Sequence, residues 1–212
     1  MARRLVFVCL LLAVLAVIVL RSSLARSAVA SSFWSRLLAP LPAGAAPSGS
    51  GFSLSSTASR SASRVIGRPS LSAAFVNRVL AAYRSPAVGL GQALYADSLR
   101  FDIDDAYALA FFWHESVFGR DGVAALTHSL GNIICTPGYP SCAGRFRAYS
   151  TWQAGAWDWF HLLATEYVPR GLVTLEQIVP VYAPASQNDV SAYIRAVKAA
   201  VATWWAGRVE VD

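Results

Sequence analysis

Hydrophobic and polar positions fall into three regimes along the chain. Residues 5–20 are an uninterrupted apolar run, preceded by Arg3 and Arg4 and closed by Arg21. Residues 31–69 show no periodicity at all and are rich in Ser, Ala, Pro and Gly. From about Ser70 a helical period sets in and persists to the end. In "SLSAAFVNRVLAAY" the apolar positions Phe75, Val76, Val79, Leu80 and Tyr83 follow the i, i+3, i+4 spacing of one buried face. Ser70 or Ser72 is suited to cap the start of this helix, and Pro86 follows its end. A second helix is predicted over residues 90–99, and a third over "DDAYALAFFWHESVF", with Asp102 or Asp104 offering capping oxygens. A loop rich in Gly, Asn, Pro and Cys spans roughly 120–148. Helix patterns then resume in "STWQAGAWDWFHLLATEYV", where Ser150 and Gln153 have capping-box spacing, and in "TLEQIVPVY", where Thr174 and Gln177 repeat it. A final amphipathic helix is predicted in "NDVSAYIRAVKAAVATWW". No sustained period-2 alternation occurs, so the fold class is all-α, with one domain at residues 70–212 large enough for a real core.

The apolar run changes the picture of where the domain resides. Sixteen helical residues reach about 24 Å, short of the ~30 Å hydrocarbon core of a bilayer. Basic residues before a short apolar segment describe a secretory signal, and small-residue cleavage patterns follow at Ser23-Leu24-Ala25 and Ala28-Val29-Ala30. Residues 1–30 are therefore expected to be a signal peptide, an uncleaved anchor being the alternative. Either way the remainder is expected to be exported to the envelope or beyond it. Residues 31–69 cannot bury enough apolar surface to offset chain entropy and are expected to be a flexible, disordered linker. Membrane contact is expected only through the N-terminal segment.

The formal charge of +6 invites a nucleic-acid reading until it is located. Residues 1–69 hold eight arginines and no acids, which leaves ten basic and twelve acidic residues for 70–212. The predicted domain is slightly acidic, and nucleic acid is not its expected partner.

Of three cysteines, Cys9 lies in the leader, while Cys135 and Cys142 bracket the turn-forming "TPGYPS". In an exported protein this pair is expected to form a disulfide, with two reduced thiols as the alternative. Neither these cysteines nor His114, His128 and His161 have metal-ligand spacing, and no Gly-rich phosphate loop follows a strand, so no metal or cofactor is expected. Most of the seven tryptophans, including Trp157, Trp159, Trp204 and Trp205, are expected to fill the core of a helical domain.

Candidate chemistry centres on "FFWHESVFGRDG", residues 111–122. Glu115 shares a helix face with Phe111 and Phe112 and lies one turn before Phe118. An apolar site disfavours the charged carboxylate and raises its pKa, which suits a general acid. Gly119 offers a helix end just beyond, which would open the carboxyl toward a cleft. The competing reading is a structural glutamate paired with Arg120 or Arg145.

"DIDDAYALAFFWHESVFGRDGVA" resembles the catalytic-helix region of the bacterial glucosaminidase family, endo-β-N-acetylglucosaminidases with a lysozyme-like fold; Glu115, Ser116 and Gly119 match the Glu-Ser pair and following Gly of that region. In order downstream, "SLGNI" resembles the family's Asn- and Gly-containing loop, "FRAYSTWQAGAWDWF" its Phe-x-x-Tyr segment and the next helix, and "YAP" at 182–184 its tyrosine motif. The similarity spans about residues 71–205. It implies a lysozyme-like helical domain with a catalytic cleft, hydrolysing β-1,4 linkages after N-acetylglucosamine in peptidoglycan. Glu115 would then be the general acid, and Tyr182 would position the sugar or stabilise developing positive charge. Ser116 would orient the glutamate, Asn132 would bind an acetamido group, and Tyr149 and Trp152 would stack on sugar rings. For a second catalytic carboxylate, Asp121 ranks ahead of Asp158, a candidate for a solvated helix position, and Asp189, a candidate helix cap. The family's tyrosine motif continues with Thr-Asp where this chain has "YAPASQND", which weakens any assignment of that second group. A lytic transglycosylase of the same fold and a non-catalytic peptidoglycan-binding module are the alternatives.

Overall fold

The computed structural model describes residues 63–212, and the leader at 1–30, Cys9 and the linker as far as residue 62 lie outside the described residues. Helix α1 (Ala73–Ala82) starts where Ser72 turns its side chain back to accept a hydrogen bond from Phe75 N. It buries Phe75, Val76, Val79 and Leu80, the face that the spacing predicts. Helix α2 (Gly91–Phe101) begins with its backbone pressed on α1. A Cβ on Gly91 would sit 2.1 Å from Ala73 O, so only glycine fits there, and its N–H donates to Asn77 Oδ1 at 2.8 Å.

Helix α3 (Asp105–Ser116) is capped by Asp104, whose side chain accepts from Ala106 N. Its sequence is apolar nearly all round, and the helix is buried nearly all round, from Asp105 to Phe112. Its most extensive partner is the last helix, α7 (Val190–Trp205), which presents Tyr193, Val197, Ala200, Val201 and Trp204 to the core. Between them in sequence come a single turn, α4 (Ala124–Thr127), and a two-residue hairpin of β1 (Cys142–Ala143) with β2 (Phe146–Arg147). Helix α5 (Trp152–Leu162) follows and runs on through a π turn at Leu163–Tyr167 and a 3-10 turn at Val168–Arg170. Helix α6 (Leu175–Tyr182) then leads to α7, with a capping box at Thr174 and Gln177. The described chain is mostly helical and agrees with an all-α class.

Three local expectations are corrected. The packed chain starts upstream of residue 70: Val65 is fully buried, its N–H donates to Val173 O, and its carbonyl accepts from Asp104 N. Composition assigns residues 63–69 to the linker because they lack a helical period, whereas they pack as an extended strap. The cap of α5 is Thr151, which accepts from Ala154 N, and not Ser150. The 120–148 loop also holds α4 and the hairpin. Trp159 and Trp204 lie fully in the core, and Trp157 and Trp205 are partly exposed. Among the described residues, no helix is long and apolar enough to cross a membrane.

Candidate active site

Glu115 occupies the last turn of α3, and the way that helix ends decides where its carboxyl goes. The helix stops at Ser116, one turn before Gly119. Val117, Phe118 and Gly119 then adopt φ of 46°, 57° and 86°, three left-handed residues in succession. A β-branched residue there costs about 1–3 kcal/mol and persists only when its surroundings enforce it. Three contacts do so: Phe118 is fully buried against Tyr83, Phe118 N donates to Phe112 O, and Gly119 N donates to Ser116 Oγ at 2.9 Å.

Ser116 therefore has a different role from orienting the carboxylate. It is buried, and its hydroxyl donates to Leu130 O at 2.8 Å, locking the end of α3 to the segment before Asn132. Asn132 comes from that segment with φ 46°, and its Nδ2 donates to the backbone carbonyl of Glu115 at 2.7 Å.

The carboxyl accepts a hydrogen bond from the Tyr193 hydroxyl at Oε1, 2.8 Å away. Burial pushes Glu115 above the ordinary carboxylate range, while the hydrogen bonds from Tyr193 and Asn132 pull the other way. No cation neutralises it: the ion pairs among the described residues are Arg147–Asp158, Lys198–Glu176 and Arg208–Asp212. Arg120 instead donates to Tyr83 O, and Arg145 donates to Gln187 Oε1 at 2.8 Å. The reading of Glu115 as the partner of either arginine is corrected.

Glu115 opens on a cavity of about 390 Å³ whose walls include Asn132, Arg145, Phe146, Tyr182 and Gln187. Tyr182, at the end of α6, donates its hydroxyl to Gly131 O and sets its ring edge against Phe111. Burial and the nearby Glu115 charge push its phenol well above the usual range, so it stays protonated. Gly131 makes this arrangement possible: a Cβ there would meet Trp159 Cδ1 at 2.6 Å and the Tyr182 oxygen at 2.7 Å. Asn132 and Tyr182 also wall a smaller recess of about 180 Å³, which Arg147 and Tyr167 share.

The remaining expected residues lie elsewhere. Asp121 is exposed on the loop beyond α3 and is not part of the cavity wall. Asp158 is buried rather than solvated, and its Oδ2 accepts from Arg147, Tyr139 and Tyr149 at 2.9, 3.2 and 2.6 Å. Asp189 caps α7 through Ala192 N. Tyr149 is thus committed to Asp158, away from the Glu115 cavity. Trp152 packs on Gly119, where a Cβ would sit 2.5 Å from its ring, and on His128 at 4.6 Å between ring centres. It braces the turn after α3 and does not wall the cavity. Among the described residues, Glu115 is the only carboxylate in that wall.

Cys135 and Cys142 are joined in a disulfide, which closes the loop carrying Tyr139. Cys135 N donates to Arg145 O and Arg147 N donates to Ile133 O, both at 2.8 Å, so this loop holds the segment from which Arg145 and Phe146 face Glu115. Among the described residues, no cluster of three or more His, Cys, Asp or Glu side chains is placed to hold a metal ion.

Tyr193 and Gln187 are among the contact and wall residues that local sequence reasoning does not assign to the site. Tyr193 lies on the apolar face of α7 with Val197 and Val201, a pattern that marks it as buried and says nothing of its hydroxyl. Arg145, weighed in the sequence only as an ion-pair partner of Glu115, instead walls the cavity and bonds Gln187. No family model matches the chain, and no curated protein matches it significantly.

Proposed function

We propose that this protein is an exported glycosidase that cleaves β-1,4 linkages after N-acetylglucosamine in peptidoglycan, with a lysozyme-like helical frame built around α3. The observation that carries the reading is the state of Glu115: a carboxyl raised by burial, unpaired with any cation among the described residues, on the wall of a sugar-sized cavity. Because Tyr193 donates to Oε1, the transferable proton belongs on Oε2. That proton passes to the glycosidic oxygen as the bond from C1 breaks, and the leaving sugar departs as an alcohol. Tyr182, held protonated beside the carboxyl, and Asn132 bound to the Glu115 backbone support the positioning of the sugar ring.

Asp121, Asp158 and Asp189 contribute no second carboxylate to the cavity wall. A single carboxylate is compatible with attack on C1 by the substrate's own acetamido oxygen, water then opening the ring that forms. The same observation favours a second reading, a lytic transglycosylase, in which the sugar's 6-hydroxyl attacks C1 and an anhydro product forms.

Digestion of purified peptidoglycan followed by mass analysis of the fragments separates these outcomes, because hydrolysis adds one water per cleavage and transglycosylation adds none. Glu115→Gln keeps the shape and the Tyr193 contact but removes the acid. Undiminished turnover in that variant would sink both readings. Glycan binding without turnover in the natural protein would instead support a non-catalytic binding module.

A further inference from the structure

A second cavity, of about 440 Å³, is walled by Tyr139, Tyr149, Thr151, Gln153, Trp157 and Asp158. Its size falls within the ~300–1,000 Å³ of small-ligand sites. Its acidic wall group among the described residues, Asp158, is already paired with Arg147 at 2.9 Å and with the hydroxyls of Tyr139 and Tyr149. The cavity therefore calls for neither a cation nor an anion. What it offers is three aromatic rings with a neutral hydrogen-bonding rim at Thr151 and Gln153. Flat apolar walls beside polar groups suit a pyranose ring, which has C–H faces and hydroxyl edges.

Arg147 links this cavity to the Glu115 cleft. Its side chain walls the recess beside Tyr182, donates to Asp158 and lies 4.3 Å from the Tyr139 ring centre. Thr136 of the same recess accepts through its carbonyl from Tyr139 N, so one disulfide-closed loop borders both cavities. Two buried polar atoms of recess residues have no partner among the described residues, Asn132 Oδ1 and Arg147 Nε. One is an acceptor that needs a donor, and the other is a donor that needs an acceptor. A ligand bearing hydroxyls supplies both.

We infer that the cavity walled by Tyr139, Tyr149 and Trp157 is a saccharide subsite remote from Glu115, and that a single glycan strand runs from it through the recess to the cleft. The subsite stands on its own chemistry. The continuity with the cleft rests on the glycosidase reading above. The protein's substrate is then a polymer several sugars long, held at a distance from the bond that is cut.

The test is an NMR titration of the full chain as Glu115→Gln, to prevent turnover, with a β-1,4-linked N-acetylglucosamine hexasaccharide as probe. The Trp157 indole N–H and the Gln153 side-chain amide report on the subsite, and the Asn132 side-chain amide reports on the cleft. All three are expected to shift, and the disaccharide is expected to bind more weakly than the hexasaccharide. Gln153→Arg, which fills the exposed rim, should weaken the hexasaccharide response of Trp157 about tenfold, and Tyr139→Ala should do the same by removing one wall. A silent Trp157 alongside a responding Asn132 overturns the subsite and leaves the glycosidase reading intact. A responding Trp157 with a silent Asn132 upholds the subsite and removes the cleft reading. Silence at both, or a Trp157 response untouched by both variants, overturns the inference.

Discussion

The hydroxyl of Tyr193 donates to Glu115 Oε1 at 2.8 Å, joining the end of α3 to the start of α7 across 78 residues of sequence. This bond favours the ionised carboxylate and so works against the burial that raises its pKa. Tyr193→Phe keeps the ring and removes the donor. The Glu115 pKa then rises further, and the alkaline limb of the pH–rate profile, where a general acid is lost, should move to higher pH. A pH profile of peptidoglycan hydrolysis measures it, and a downward move contradicts the arrangement.

Glu115→Gln should lower turnover about 10²–10⁴-fold, the usual contribution of a positioned general acid. It should also stabilise the fold near neutral pH. A carboxyl whose folded pKa is raised binds its proton more tightly when folded, so its contribution to stability declines as pH rises from the unfolded value of about 4.3 through the folded one. The glutamine variant escapes that decline. Its melting temperature should exceed the natural protein's at pH 7, and the gap should close below pH 4.

Asp105 sets up a second pH dependence, in the frame and away from the cleft. Its Oδ1 accepts from Ser70 N and Leu71 N at 2.9 and 3.1 Å, while its buried Oδ2 has no partner among the described residues. Burial raises its pKa, the two backbone donors oppose this, and the neighbouring Asp104 charge adds to the rise. Stability from this group is again lost as pH rises. Asp105→Asn retains an acceptor for both backbone donors, so thermal scans should show it more stable than the natural chain at pH 8 and little changed at pH 4.

How much of this was readable in advance follows a physical line. The cap at Ser72, the buried stripe of α1 and the capping box at Thr174 and Gln177 are local, set by residues three or four apart, and the sequence displays them. The near-complete burial of α3 follows from an apolar run with few charges. Tyr193 and Asp158 could not be placed this way. Periodicity shows that Tyr193 faces the core, but its hydroxyl meets Glu115 only after two distant helices pack. Asp158 reads as a solvated helix residue until Arg147, Tyr139 and Tyr149 converge on it from the hairpin and loop. Tyr149 and Trp152 carried a second difficulty: a ring's position in sequence does not tell whether its neighbour will be a ligand, another ring or a glycine such as Gly119.

Gly131→Ala tests how closely the cleft wall is fitted. The added methyl would press on the fully buried Trp159 and on the Tyr182 oxygen, which is tied to the carbonyl of Gly131 itself. Overpacking of this kind costs about 1–3 kcal/mol. Chemical denaturation should show that loss, and hydrolysis should fall more than stability alone accounts for, because Tyr182 is displaced from beside Glu115.

The disulfide between Cys135 and Cys142 lies outside the helical frame, yet it closes the loop that gives Tyr139 to the cavity beside Asp158 and Thr136 to the recess beside Tyr182. Helices and loop are consequently secured by different bonds. A molecule kept where thiols stay reduced would hold its helices together and carry Glu115 in place, with the loop held only by its backbone hydrogen bonds. Closing this one bond would therefore firm the loop beside the recess without altering the helical frame.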